Sequence, residues 1–284
     1  MSAIFKEKNT AVITGAASGI GLALAKKCVG YGMRVLVADW DADSLEKAAS
    51  SLGQGAGTIR VDVGKIEDWA RIKEKVVQDF GGQINLLALN AGVGPKTSFD
   101  DADPAAFHKI MDTNLFGVIN GITTLLPLIK EKFSSSSSSD GGASAIVITG
   151  SKQGITNPPG NPAYNASKAA VKTLAEHLSF DLRAAAPAVG VHLLVPGWTW
   201  TGLAGAAGGG EKPAAAWWPE QVVDFLETKV AEGQFWVLCP DNDVTEEVDC
   251  KRMRWGAEDA VLGRKPLSRW RGEYEGEFGA WMGK

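Results

Sequence analysis

The sequence predicts a single α/β domain built on a parallel, doubly wound sheet of about seven strands, with helices on both faces. Three observations lead there. Short apolar runs of strand length alternate with helix-compatible segments, the pattern of successive βαβ units. The first unit carries a glycine-rich turn between its strand and its helix. Polar and glycine motifs recur at the C-terminal ends of the strand runs, where the ligand crevice of such a sheet lies.

The elements follow in order. Thr10 to Thr14 is a short apolar run, Gly15 to Gly21 is rich in glycine, and Leu22 to Gly30 has a helical composition. A second strand, Met33 to Ala38, ends at Asp39, and a helix follows over Ala42 to Ser51. Gly15, Gly19 and Gly21 permit a tight turn and the close approach of a pyrophosphate to a helix N-terminus. Their spacing, G-x-x-x-G-x-G, meets the general dinucleotide fingerprint only in part, and its place between strand and helix supplies the context such a motif needs. Asp39 lies eighteen residues past Gly21. A carboxylate there can accept hydrogen bonds from both ribose hydroxyls and would repel a 2′-phosphate. The plainer alternative is a glycine turn followed by a helix-capping aspartate.

The alternation continues through strand Gly57 to Val61, the pair Asp62-Val63, and a helix over Ile66 to Phe80. Strand Ile84 to Leu89 runs into Asn90-Ala91-Gly92, and one long helix is predicted from Pro104 to Glu131. Six serines, Ser134 to Ser139, with Asp140-Gly141-Gly142, read as a surface loop. Strand Ser144 to Thr149 ends at Gly150-Ser151, a helix carrying Tyr164 runs to about Ala186, and strand Val189 to Val195 ends at Pro196-Gly197. Gln221 to Ala231 reads as a helix and Gln234 to Leu238 as the last strand.

A length of 284 residues suits one large α/β domain, and 45% hydrophobic with 22% charged residues suits a substantial core. The net charge of −4 offers no basic excess for a nucleic-acid backbone. Cys28, Cys239 and Cys250 form neither a disulfide framework nor a zinc pattern, which suits a reducing, cytoplasmic setting with no metal. The N-terminal stretch reads as neither a signal peptide nor a membrane span.

Tyr164 and Lys168 stand four residues apart, so a helix places an ammonium beside a phenol on one face. A free tyrosine titrates at about 10, too high for a base near neutral pH. A neighbouring cation favours the phenolate and makes the pair a tunable proton donor and acceptor. The spacing alone is common on solvated helix faces, and its meaning depends on the rest of the chain.

Taken together, Thr14 to Gly21 (TGAASGIG), Asp39, Asp62-Val63, Asn90 to Gly92, Asn114, Ser151, Tyr164 to Lys168 (YNASK) and Pro196 to Thr201 (PGWTWT) resemble the short-chain dehydrogenase/reductase family over roughly residues 8 to 240. Ser151 stands thirteen residues before Tyr164, as the family's serine usually does. The resemblance implies a Rossmann-type fold over 1–240 with a substrate lid at about 198–220. It implies Tyr164 as general acid or base, Lys168 as the residue that depresses its pKa and holds the nicotinamide ribose, and Ser151 as donor to the substrate oxygen. Asn114 would hold a water beside Lys168. Gly15, Ser18, Gly19, Ile20 and Gly21 would cradle the pyrophosphate, with Asp39 and Trp40 at the adenosine ribose and Asp62 and Val63 at the adenine. Asn90, Ala91 and Gly92 would line the ribose, and Pro196, Gly197, Thr199 and Thr201 would hold the carboxamide. NADP-preferring members usually carry Arg or Lys where this chain has Ser18 and Trp40, so Asp39 points to NAD.

The chain also departs from the family pattern. Leu89 stands where many members have a second Asn, and Lys152-Gln153 places a polar pair after Ser151. Gly202 to Gly210 holds five glycines in nine residues, hinges for a lid. Trp198, Trp200, Trp217 and Trp218 lie in or beside it, either packing an apolar, ring-bearing substrate or anchoring the lid to the protein. Residues 241–284 extend past the usual end: Thr245 to Trp255 is helical in pattern, and Pro266 to Lys284 has no clear period. A segment this polar is expected to form no core of its own and to pack on its own domain or a partner. The expected activity is NAD(H)-dependent interconversion of a secondary alcohol and a ketone or aldehyde, by a homodimer or homotetramer with no nucleic-acid or membrane partner. An NADPH-dependent carbonyl reductase, or a dinucleotide-binding regulator without turnover, are the rival readings.

Overall fold

The computed structural model describes residues 3–100, 103–133 and 142–283. Seven strands form one parallel sheet: β1 (Thr10–Thr14), β2 (Arg34–Asp39), β3 (Ala56–Arg60), β4 (Leu86–Leu89), β5 (Ser144–Thr149), β6 (Val189–Val195) and β7 (Trp236–Leu238). Their order is β3-β2-β1-β4-β5-β6-β7, with every pairing parallel. The order reverses between β1 and β4, and the crevice beyond their carboxyl ends is the switch point where such sheets bind ligands.

The central strands β1, β4 and β5 are buried on both faces because helices cover both. Along β5, Ile146 and Ile148 enter one core while Ala145 and Val147 enter the other. The first core takes α3 (Ile66–Phe80), α5 (Gly117–Phe133) and α7 (Pro162–Ala185). The second takes α1 (Gly19–Gly30), α2 (Ala42–Leu52) and α8 (Pro219–Ala231). Helix α3 shows how the sequence places them. Trp69, Ile72, Val76 and Phe80 repeat at helical spacing and are buried, each contributing about 2 kcal/mol. Glu67 and Asp68 complement its N-terminus, and Gly81, at φ 63°, ends it in the left-handed conformation.

The predicted long helix over Pro104 to Glu131 is interrupted. Helix α4 (Pro104–Met111) passes into a π-helical turn, Asp112–Phe116, before α5 resumes. Asn114 sits in that turn, fully buried and bonded to the loop after β4. That pull on one side chain accounts for the extra residue in the turn. A short helix that sequence periodicity does not predict, α6 (Lys152–Thr156), follows β5, capped by Ser151 Oγ accepting from the Gln153 amide at 3.2 Å. The serine run predicted as a surface loop lies, apart from Gly142, outside the described residues.

The C-terminal segment corrects another expectation. Helix α9 (Glu246–Leu262) runs a further two turns past Trp255, and α10 (Glu275–Met282) folds back on it. Trp255 is buried, with Phe278 and Trp281 at 5.3 and 6.1 Å between ring centroids and the Arg264 guanidinium 3.7 Å above it. Its indole donates to Ser268 Oγ at 2.7 Å, and Asp259 accepts from Arg264 Nε at 2.9 Å. The segment thus builds a small core around one indole, because its charged residues pair with one another rather than with water.

Candidate active site

Tyr164 lies in the first turn of α7 and Lys168 one turn later, on the side facing the end of β5. Lys168 is buried, its Nζ 5.8 Å from the Tyr164 ring centroid and donating to the Thr149 carbonyl at 2.7 Å. Burial pulls the Lys168 amine down to about 8. Burial also raises the Tyr164 phenol above its usual value, while a hydrogen bond with the Ser151 hydroxyl works in the opposite direction. The expected depression by Lys168 is therefore not the dominant effect. The ammonium is directed to the Thr149 carbonyl, and burial outweighs the hydrogen bond at the phenol.

Asn114 is tied on every side. Its Oδ1 accepts from the Val93 amide at 2.8 Å, and its Nδ2 donates to the Val93 carbonyl at 2.9 Å and to Ser167 Oγ at 3.1 Å. A methyl group placed on Gly92 would lie 3.4 Å from Asn114 Oδ1 and 3.6 Å from Lys168 Nζ, so the asparagine and the lysine flank the same glycine. The residues matched in the sequence as Ser151, Tyr164, Lys168 and Asn114 thus gather beyond β4 and β5.

The glycine turn leaves room that no side chain could share. At Gly15, φ is 61° and a Cβ would sit 2.7 Å from Ala91 Cα. At Gly21 a Cβ would sit 2.3 Å from the Gly15 carbonyl oxygen. The turn leads into the N-terminus of α1, where the Ser18 side chain makes no capping bond and Ile20 is half-buried. The turn thus brings bare backbone to the N-terminus of α1, where the first N–H groups have no intrahelical partner. Thr201 is beside it, 3.2 Å from a Cβ built on Gly19.

Asp39 is buried at the end of β2; its Oδ2 accepts from the Ala17 amide at 3.0 Å and its Oδ1 from the Asp41 amide at 3.3 Å. Trp40 is exposed beside it. Asp62 Oδ1 accepts from the Gly64 amide at 3.0 Å, and the Val63 carbonyl accepts from the Trp69 indole at 2.9 Å. Asn90 spends its side chain on the scaffold, donating to the Thr14 and Gly15 carbonyls at 3.2 Å and accepting from Thr149 Oγ1 at 3.1 Å. Pro196 and Gly197 follow β6. The Thr199 hydroxyl turns inward to the Gly197 carbonyl at 3.1 Å.

The tryptophans separate into different roles. Trp217 packs edge-on against Phe225 of α8 and pairs its backbone with Trp198 and Trp200, which makes it an anchor. Trp200 and Trp218 line a groove of about 340 Å³ beside Gly19, Leu22 and Lys26 of α1. Leu203 of this segment and the Tyr164 ring border the same glycine, Gly94. A Cβ on Gly94 would lie 3.1 Å from Leu203 Cδ1 and 3.4 Å from Tyr164 Cδ2. Nothing in the sequence marks Leu203, a lone leucine among glycines, or the Thr149 carbonyl, whose role is carried by the backbone.

The short chain dehydrogenase model matches residues 9–211, and the chain belongs to that family of oxidoreductases. An oxidoreductase of Sarocladium schorii, asL5, is 33% identical over 174 residues, 61% of this chain. The chain spans 66% of that relative's length, just under two thirds. An NADP-dependent (R)-specific alcohol dehydrogenase of Lentilactobacillus kefiri is 31% identical over 71% of this chain and 77% of its own. Among solved structures, a short chain dehydrogenase/reductase from Burkholderia phymatum in complex with NAD is 28% identical, with a TM-score of 0.79 over 93% of this chain and 97% of its own. Among the described residues no helix is long and apolar enough to cross a membrane.

Proposed function

We propose that the chain interconverts a secondary alcohol and a ketone or aldehyde with NAD(H), using Tyr164 as general acid and base. One observation carries the reading: Tyr164 and the buried amine of Lys168 stand one turn apart on α7, Nζ 5.8 Å from the phenol ring, where α6, begun by Ser151, presses on α7 and Gly92 borders Lys168. A nicotinamide dinucleotide bound there supplies or accepts the hydride. Gly15 to Gly21 would hold its pyrophosphate, Asp39 its adenosine ribose, and Lys168 its nicotinamide ribose. In reduction Tyr164 gives its proton to the substrate oxygen, and in oxidation it removes the hydroxyl proton. Ser151 donates a hydrogen bond to the same oxygen. A phenol raised by burial is protonated at neutral pH, which favours its acid role there and its base role as pH rises.

The relatives point both ways on the cofactor, one being NADP-dependent by name and one holding NAD. Asp39 supports NAD, since its buried carboxylate would repel a 2′-phosphate. NADP(H) is the second reading, and one observation favours it. Arg60 is in register with Asp39 and donates from Nε to the Trp40 carbonyl at 3.1 Å, a cation on the strand next to Asp39. The same proposal takes the chain to be a cytoplasmic homodimer or homotetramer. Phe116 and Phe180, both exposed near or on the central helices, suit such an association, and its mass in solution by light scattering decides.

Tyr164→Phe tests the reading. With 1-phenylethanol and NAD, followed at the NADH absorbance, kcat falls by about a thousand-fold while NADH affinity stays within two-fold. Turnover retained at more than a tenth of the parent rate would refute the assigned role.

A further inference from the structure

Lys152 follows Ser151 directly, yet its ammonium turns away from solvent and into the C-terminal segment. Nζ lies 3.1 Å from Asp241 Oδ2 and 2.8 Å from Asp249 Oδ2. Asp249 belongs to α9 and is 1% exposed; Arg252 is a second cation paired with it, at 3.5 Å, and Arg269 adds its charge nearby. Asp241 Oδ2 also accepts the amide of Trp198, the first residue past Pro196-Gly197, at 3.1 Å. On its other side α6 is pressed against α7, where a Cβ on Gly154 would lie 2.6 Å from the Lys168 carbonyl carbon. A short helix with five residues has little packing of its own, so its place depends on these two supports.

We propose that Asp249 and Asp241 are positioning residues: through Lys152 they fix the Ser151 end of α6 against Tyr164, and through the Trp198 amide they fix the start of the segment that carries Leu203. The C-terminal segment is then part of the substrate side of the site, reaching it through one lysine and two carboxylates. A carboxylate this buried is stranded if its cation is removed, and Lys152 and Arg252 are the cations paired with it. Its link to α6 is therefore specific to the charge and not only to the shape of the side chain. The inference rests on the assignment of Ser151 and Tyr164 above, which Tyr164→Phe tests separately.

Asp249→Asn keeps the shape and removes the charge, and Lys152→Met cuts the same link from the other end. Both are made in the full chain and followed by hydrogen–deuterium exchange read by mass spectrometry, with NADH affinity and the kinetics of 1-phenylethanol oxidation alongside. Both variants are expected to exchange about ten-fold faster in peptides covering 151–157 and 198–203, with the sheet strands unchanged. Both keep NADH affinity within two-fold and lose about ten-fold in kcat with KM for NAD unmoved. Unaltered exchange at those two segments in both variants overturns the proposal, as does faster exchange throughout the sheet. Faster local exchange with kcat unmoved overturns it as well. Tyr164→Phe, in contrast, stops turnover without changing exchange at α6; if it leaves turnover intact, the assignment of the reacting pair fails and not the coupling.

Discussion

Replacing Asn114 with alanine removes the side chain that joins the π turn to the loop carrying Gly92 and Gly94. Three hydrogen bonds are lost, two to the Val93 backbone and one to Ser167 Oγ. Ser167 keeps a partner, because its hydroxyl also donates to the Tyr164 carbonyl at 2.8 Å. The Val93 amide and carbonyl are the groups left stranded. At about 1 kcal/mol for each, the loss is about 2 kcal/mol. In a domain of this size that lowers Tm by roughly 3 to 4 °C. The loop also forms one wall of the site, with Gly94 against both the Tyr164 ring and Leu203, so kcat falls with the stability. Scanning calorimetry at pH 7 measures the first effect and NADH absorbance with 1-phenylethanol the second. A Tm within about 2 °C of the parent would show that Val93 finds other partners and that the asparagine does not hold the turn.

Gly15→Ala forces a Cβ to within 2.7 Å of Ala91 Cα at a φ of 61°, so the turn must open. NADH affinity, read by fluorescence titration, drops at least about ten-fold, and an affinity within two-fold of the parent refutes the cradle. Lys168→Met probes the buried amine. Its fall from 10.5 to about 8 opposes folding by about 3 kcal/mol at neutral pH. That opposition is fully present below pH 8 and is relieved as pH rises towards 10.5. The stability of the methionine variant relative to the parent should therefore decline between pH 7 and pH 10 in urea titrations, and a pH-independent difference would contradict the burial argument. Asp39→Ala should reduce the ratio of kcat/KM for NAD over NADP by about ten-fold, the effect of one lost charge interaction of about 1.4 kcal/mol. A parent that prefers NADP would instead bring Arg60 forward as the phosphate contact.

Much of the scaffold was legible because it depends on local pattern. β1, α3, β5 and β6 begin and end where apolar runs and helical spacing place them, and the glycine turn sits where a backbone must approach backbone. Ser151, Tyr164, Lys168 and Asn114, picked out by residue type at fixed separations, lie together beyond β4 and β5. What escaped depends on distant partners. The break at Asn114 is invisible to periodicity, since Pro104 to Glu131 reads as one helix until Val93 and Ser167 draw the asparagine inward. Helix α6 is too short to show a period. The core around Trp255 could not be read from a segment rich in Arg, Glu and Asp, because it requires knowing which charges meet. The indoles were noticed, but composition alone did not separate the anchor, Trp217, from those lining the groove by α1.

The pairing of Trp217 with Trp198 and Trp200 has a consequence for how this chain can change. The Trp200 amide donates to the Trp217 carbonyl, and the Trp217 amide to the Trp198 carbonyl, both at 2.8 Å. The return limb is held as well, with Asn242 bonding the carbonyls of Ala214, Ala215 and Ala216. Between these fixed ends, residues 202–212 form an excursion whose base is secured by main-chain bonds at Trp198, Trp200 and Trp217 and by Asn242 at the return limb. Doubling the length of such a closed loop costs only about 0.6 kcal/mol. The stretch carrying Leu203 can thus be rewritten or lengthened as an exchangeable cassette while the sheet, the glycine turn, Tyr164 and Lys168 stay in place.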